Sequence, residues 1–310
     1  MRYFQEQPSH RPIVIALGFA LLAACNSAQW SAAGAAEVVA MSSASLAQQR
    51  DYELVGEAMP AQIIQLEALV SVRPDDDQLR IMLVQAYVGY AYGWLEVDLI
   101  EAEEEGDFAA IDALKQRLAR MYGRARNLAQ ITLSKSHPEL KQLAKLNPAA
   151  LTQQLKKSIR ISEDAKPLLW FAQAWLAQSA FDDALSVSEI WPSVQALASH
   201  VAQLHPRYLE GGAYRLLASA YAQLPVHLGQ NLKQSKQLFQ KAMQVSPPDA
   251  LINIYQAAMS YAVATHNRAL FERSMQRVLQ QSTQSNHLAL ANTIAKRRAQ
   301  LAWQQRSTLF

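Results

Sequence analysis

Cysteine occurs once in this chain of 310 residues, at Cys25. One thiol excludes an intramolecular disulfide, a Cys-pair zinc site and a redox CxxC motif. Glycine is also sparse, with ten residues, while Ala, Leu and Gln are plentiful. Such a chain is poor in the turns an all-β protein needs and rich in helix formers. No segment alternates apolar and polar residues strictly enough to argue for a strand. Only 18% of residues are charged and the formal net charge is +3. Lys and Arg neither cluster nor interleave with aromatics, so the sequence predicts no nucleic-acid partner. HExxH, GxSxG, P-loop and GxGxxG motifs are missing, and the seven histidines are scattered. The sequence therefore offers no convergent catalytic set, no metal site and no cofactor, and a non-enzymatic protein is expected.

What is present starts at the amino terminus. Arg2, His10 and Arg11 make a mildly positive start, and Pro12 to Ala24 then runs without a charge. Thirteen helical residues span roughly 20 Å, short of a bilayer core of about 30 Å. A positive start, short apolar core and small-residue end are those of a secretory signal. Leu22-Ala23-Ala24-Cys25 resembles the bacterial lipobox, in which the thiol receives diacylglycerol, the preceding peptide bond is cut and the new amine is acylated. At about 0.8 kcal/mol per buried CH₂, three chains make a durable membrane anchor. Asn26, where Asp would retain a Gram-negative lipoprotein at the inner membrane, implies an outer-membrane anchor facing the periplasm. The expected organisation is a signal peptide over 1–24, lipidated Cys25 and an Ala/Ser-rich tether over 25–48, and a folded domain over 49–310. A weak helix over Ala36–Leu46 is the alternative to part of the tether.

From Asp51 the pattern is helical. Pro60 suits a first turn, and Asp75, Asp76 and Asp77 suit a helix start, where free N–H groups and the dipole favour acid. Leu83, Tyr87, Tyr90 and Trp94 share one face of a helix running to about Glu105. This stripe reads as core packing or as the lining of a cavity. Gly106-Asp107 turns the chain into a helix from Phe108 to about Leu133. There Arg117, Arg120 and Arg124 flank the apolar stripe and are expected to pair with acids on a neighbouring helix, with anion binding as the alternative. Lys166-Pro167 starts an aromatic helix carrying Trp170 and Trp175, which lie about 140° apart, so at most one of them faces a lumen. Ile190-Trp191-Pro192 opens the next helix.

Ser235, Phe239, Ala242 and Pro247, spaced by 4, 3 and 5, match the second half of a tetratricopeptide (TPR) repeat. Leu217, Ala218 and Tyr221 match its first half, with "LPVHLGQN" as an enlarged loop. Leu83, Val84 and Tyr87, and Ala257, Ala258 and Tyr261, repeat the first half. Each helix pair of such an array leaves an apolar face that only the next pair covers. The predicted fold is all-α, a TPR-like array of helical hairpins resembling an α-solenoid.

Four stretches in order, "EAMPAQIIQLEALVSVRPDDDQLRIMLVQAYVGYAYGWLE", "RLARMYGRARNLA", "LLWFAQAWLAQS" and "YLEGGAYRLLASAYAQLP" continuing through "QSKQLFQKAM" to "NRALFERSMQRVL", resemble the T component of TRAP transporters (TatT). Members often read Leu-Gly-Gly-Asp where this chain has Leu228-Gly229-Gln230-Asn231. The resemblance implies a periplasmic TPR-like lipoprotein, a homo-oligomer (a trimer), that partners a periplasmic solute-binding P subunit. It also implies an apolar-lined pore for a small hydrophobic ligand, for which Tyr87, Tyr90, Trp94, Trp170 and Trp175 are the candidates. The alternative function is a TPR-like envelope-assembly scaffold that binds proteins without a ligand channel.

Overall fold

The computed structural model describes residues 44–182 and 186–310, with Gly34, Glu37, Val38 and Met41 before them. The signal peptide, the lipobox residues Leu22, Ala23 and Ala24, and Cys25 lie outside the described residues. Within the stretch read as a tether, Gly34, Glu37, Val38, Met41 and residues 44–47 are helical.

Thirteen α-helices and no strand occur among the described residues. Helix α1 spans Tyr52–Val72 and α2 spans Asp77–Tyr90. A π-helical turn, Ala91–Leu95, joins α2 to α3, Glu96–Glu105. Then follow α4 (Phe108–Ser136), α5 (Pro148–Ser158), α6 (Ser162–Gln178) and α7 (Val187–Leu204). Helices α8 (Gly212–Gln223) and α9 (Leu232–Val245) form the next hairpin. The chain closes with α10 (Leu251–Ala257), a second π-helical turn (Ala258–Ala262), α11 (Arg268–Gln280), α12 (Ala289–Gln304) and α13 (Arg306–Leu309).

Short polar side chains decide where the helices begin. Asp51, Asp76, Asp107, Asn147, Asn231 and Asn267 each accept a hydrogen bond from the backbone N–H three residues on, a cap contributing about 1 kcal/mol. Asp76 is thus the cap within the aspartate triplet. Three expected starts are corrected. Pro60, Pro167 and Pro192 do not open their helices but lie inside them. In α1 the Asp51 cap starts the helix eight residues before Pro60, and the ring removes only the bond to the Gly56 carbonyl. At Gly106 the φ of 71° closes α3 and turns the chain into α4.

Successive helices pack side by side, α1 on α2, α2 on α4, α4 on α6, α6 on α7, α7 on α8 and α8 on α9. Small residues set the spacing. Ala125 and Ala129 of α4 are fully buried. In the α8–α9 hairpin the buried Ser235 hydroxyl donates to the Ala218 carbonyl at 2.7 Å. The TPR-like positions Leu217, Ala218, Tyr221, Phe239 and Ala242 are all buried around it. The enlarged loop between these helices is a 3₁₀ turn, Val226–Leu228.

The array does not stay open. Helix α12 returns to α1 and the first π-helical turn. Ile294 seats against Gly93, Arg297 pairs with Glu101 and Arg298 with Glu96, and Arg50 donates to Asn286 at 3.4 Å. One large apolar core runs through α1 to α9, and a second, smaller one lies within α10 to α13. The seam between the two cores combines these polar pairs with apolar contacts of Ala257, Tyr261, Leu290 and Ile294 on the large core.

Two expectations follow. Gly56 faces Trp94, whose ring is buried between Tyr52 and Tyr90, with ring centroids 5.1 and 6.1 Å away. A methyl on Gly56 would lie 2.6 Å from the indole Cδ1. Helix propensity alone would make Gly56→Ala favourable by about 1 kcal/mol. The clash is expected to reverse the sign, giving a loss of about 1–3 kcal/mol in urea unfolding. Asp249, at the start of α10, accepts from the Gln284 and Ser285 backbone N–H groups at 2.9 and 2.7 Å and from the Ser285 hydroxyl at 2.9 Å. Burial pushes its carboxyl up, but these bonds outweigh burial and hold it below the usual value. Its contribution is therefore complete above about pH 4 and is lost as pH falls through the lowered value. Asp249→Ala is expected to cost about 2–4 kcal/mol at pH 7, with the deficit shrinking at pH 3.

Candidate functional site

Where the closing helix meets the first hairpin, the structure forms a cleft of about 550 Å³ that opens to solvent. Both π-helical turns border it. The first carries Tyr92 and is followed by Glu96, and the second carries Met259 just after Tyr255 and Gln256. A π turn admits one extra residue and so re-aims the side chains beyond it, a device common at functional sites.

The polar part of the lining is one connected network. Arg298 of α12 is 8% exposed. Its guanidinium lies 4.1 Å from the Tyr92 ring centroid and 5.7 Å from that of Tyr255. It donates to the Tyr92 carbonyl at 2.6 Å, to Glu96 at 3.0 Å and to the Tyr255 hydroxyl at 3.4 Å. The second Glu96 oxygen accepts from the Tyr122 hydroxyl at 2.5 Å. Gln256 donates to the Tyr92 hydroxyl at 2.8 Å and accepts from Ser219 at 3.3 Å. Helices α2/α3, α4, α8, α10 and α12 are thereby tied at one place.

Burial shapes the titration of these groups. It pushes Tyr92 up against the opposing charge of Arg298. It pushes Tyr122 well up, with Glu96 adding to the effect. For Arg298 burial acts downward, but Tyr92, Tyr255 and Glu96 outweigh it and leave the guanidinium well above its ordinary value. Both tyrosines therefore stay protonated and Arg298 stays charged at neutral pH.

The remaining lining comes largely from α6, α7 and α8, where Leu176, Ala177, Val187, Leu216 and Leu224 present apolar surface. One wall is thus greasy and one polar, as in small-molecule sites generally.

The residues singled out from sequence lie elsewhere. Tyr87, Tyr90, Trp94, Trp170 and Trp175 are all buried in the large core, and none lines this cavity. Trp94 donates to the Tyr52 carbonyl at 3.2 Å. Trp170 donates to the Tyr208 hydroxyl at 2.8 Å. Trp175 packs edge-on against Phe171, 5.3 Å between centroids. Arg124 pairs with Glu67 of α1 at 3.1 Å and lies over Tyr87, while Arg117 lies over Tyr90. Arg120 is exposed. The structure therefore brings Arg117 and Arg124 to the outer rim of the aromatic stripe, away from the cavity.

Two further hollows are lined by other residues. One, of about 600 Å³, lies among α2, α4 and α6, with Asp77, His137, Glu163, Asp164 and Lys166 at its edge. The other, of about 340 Å³, lies between α5 and α7. The charges of the first are paired internally, Asp77 with Arg80, Glu163 with Lys166, and Asp164 with His137 at 3.5 Å. Among the described residues no group of three or more His, Cys, Asp or Glu could hold a metal ion, and no helix is long and apolar enough to cross a membrane.

Sequence reasoning missed Arg298, Glu96, Tyr92, Tyr255 and Gln256. One signal was available: Arg298 interrupts the apolar face formed by Ile294, Ala295, Ala299 and Ala302, all buried.

A search of curated proteins finds no match. A family model, that of the TRAP transporter T-component (TAtT), matches residues 48–310, and so takes in every helix from α1 to α13 and the whole cavity. The chain belongs to the TRAP transporter T-component family.

Proposed function

We propose that this protein is a non-enzymatic, lipid-anchored accessory subunit of a TRAP-type uptake system. It holds a small, largely apolar ligand in the central cavity. Cys25 is the lipidation site, and the inner leaflet of the outer membrane is the anchoring surface. The folded part, 49–310, stands in the periplasm and docks a solute-binding P subunit, as a homo-oligomer, a trimer. The observation that carries the ligand reading is the solvent-open cavity of about 550 Å³ with one apolar wall and one polar wall, in a member of a transport family. A volume in the range of roughly 300–1,000 Å³ suits a single small molecule. Burial of the ligand's apolar part supplies the affinity, and the tyrosine and glutamine groups orient its polar end. Lipidation rests on Leu22-Ala23-Ala24-Cys25 alone.

Ala177 lines the cavity from α6 and is only partly buried, so a larger side chain there fills the hollow without entering the close-packed core. Ala177→Trp is expected to weaken binding of a neutral apolar dye, N-phenyl-1-naphthylamine, at least tenfold with helical circular dichroism retained. Unchanged dye binding in a folded variant would sink the ligand reading, and capture of a P subunit by that same variant would then favour the scaffold alternative. Cys25→Ser is expected to move the protein from the membrane fraction to the soluble periplasmic fraction. Continued sedimentation with outer membrane would remove the lipid anchor.

A further inference from the structure

We infer that Glu96 sets the charge selectivity of the cavity, neutralising Arg298 so that the site takes an uncharged amphiphile and turns anions away. This rests on the reading of the cavity as a ligand site. A buried arginine beside an apolar wall is ordinarily an anion site, since its guanidinium matches a carboxylate in shape and charge. Here the position is already filled from within. Among the described residues of the lining, Glu96 and Arg298 are the only charged side chains, and they pair at 3.0 Å. Their two charges cancel.

The carboxylate is also held in place. One Glu96 oxygen faces Arg298 and the other takes the Tyr122 hydroxyl at 2.5 Å. The two contacts come from different helices, α12 and α4, so Glu96 cannot swing away without abandoning one of them. A ligand carboxylate approaching Arg298 would bring a second negative charge beside Glu96 in a site where both residues are shielded from water, at 9% and 18% side-chain exposure. Like charges at that distance in low dielectric repel strongly.

What the cavity does offer is hydrogen-bond donors. Tyr92 accepts from Gln256 and Tyr255 accepts from Arg298. A hydroxyl that accepts still has its own proton to give, and the Gln173 and Gln223 amides line the cavity as well. The complementary ligand is an apolar chain ending in a neutral acceptor oxygen, such as an amide, ester or ketone.

The test uses decanamide and decanoate, which share a chain and differ in charge. Each displaces N-phenyl-1-naphthylamine from the full chain carrying Cys25→Ser, at pH 7.5. Decanamide is expected to bind at least tenfold more tightly than decanoate. Dehydrating any anion would give part of that preference, so the decisive comparison is Glu96→Gln. That change keeps the side chain's shape and frees the Arg298 charge. It is expected to tighten decanoate at least tenfold relative to decanamide, so that the preference between the two is lost or inverted. As a check that needs no variant, decanoate binding to the Glu96 protein should strengthen as pH falls through the fatty acid's own pKa. Decanoate binding as tightly as decanamide at pH 7.5, no tightening at low pH, or a folded Glu96→Gln variant with the same preference would each overturn the inference while leaving the cavity reading intact. If neither compound displaces the dye, the ligand reading itself falls, and the inference with it.

Discussion

One arginine holds the ring of helices shut. Arg298 arrives from the last long helix, stacks 4.1 Å over Tyr92, and joins a carboxylate whose other oxygen is fixed from α4. Stacked hairpins by themselves specify only the next neighbour, because each apolar face is covered by the hairpin that follows. Closure needs a contact between elements some 200 residues apart in the chain, and the two apolar cores do not merge to supply it. The contact is polar instead, and polar contacts are directional. Sliding α12 along α3 by one turn would leave a buried guanidinium and a half-buried carboxylate unpaired, a loss of up to about 3–5 kcal/mol. Ile294 against Gly93 adds the steric half of the same lock.

The two π-helical turns belong to this junction. An extra residue in a helix rotates everything beyond it by about 100°. In the first long helix the stripe of Leu83, Tyr87, Tyr90 and Trp94 belongs to the large core, whereas Glu96 just beyond the turn faces the seam. One continuous helix therefore serves two surfaces, with Leu95 and Leu99 still in the large core while Tyr92 and Glu96 face the cavity. The second π turn carries Met259, which lines the cavity together with Tyr255.

The fold was legible in the sequence to the extent that it is local. The aspartate triplet at a helix start, the Gly106 turn and the Ser235-Phe239-Ala242 spacing act within a few residues of themselves, and the structure has them doing so. The prolines misled because a first-turn preference is a statistical one: Asp51 caps its helix nine residues before Pro60, and Pro167 and Pro192 each sit a full turn beyond the start of theirs. The cavity was much less legible. The aromatic stripe reads the same whether it packs or lines a hollow, since burial of Tyr87 or Trp94 satisfies either account of its periodicity. Ring closure is a long-range event, and a π turn leaves no mark in periodicity until its effect on later side chains is seen. Of the network only Tyr122 lay on a predicted apolar stripe, and Arg298 stood out only as a charge on an apolar face.

A polar junction is a curious choice for stability alone, because well-packed apolar groups of similar volume often hold two elements together equally well. The cavity gives the pair a second reason. Were a hollow of about 550 Å³ sealed and dry, about 24 cal/mol per Å³ would make it cost about 13 kcal/mol. That is as much as the entire stability of a typical domain. The hollow avoids that cost because it opens to solvent and water can fill it. The Tyr92, Glu96, Tyr122 and Arg298 groups supply the partners that let water occupy it, and the apolar wall makes that water readily displaced by a hydrocarbon chain. Closing the ring with charge rather than grease thus leaves a space that is neither collapsed nor ruinous to the fold, with its charges already cancelled before any ligand enters.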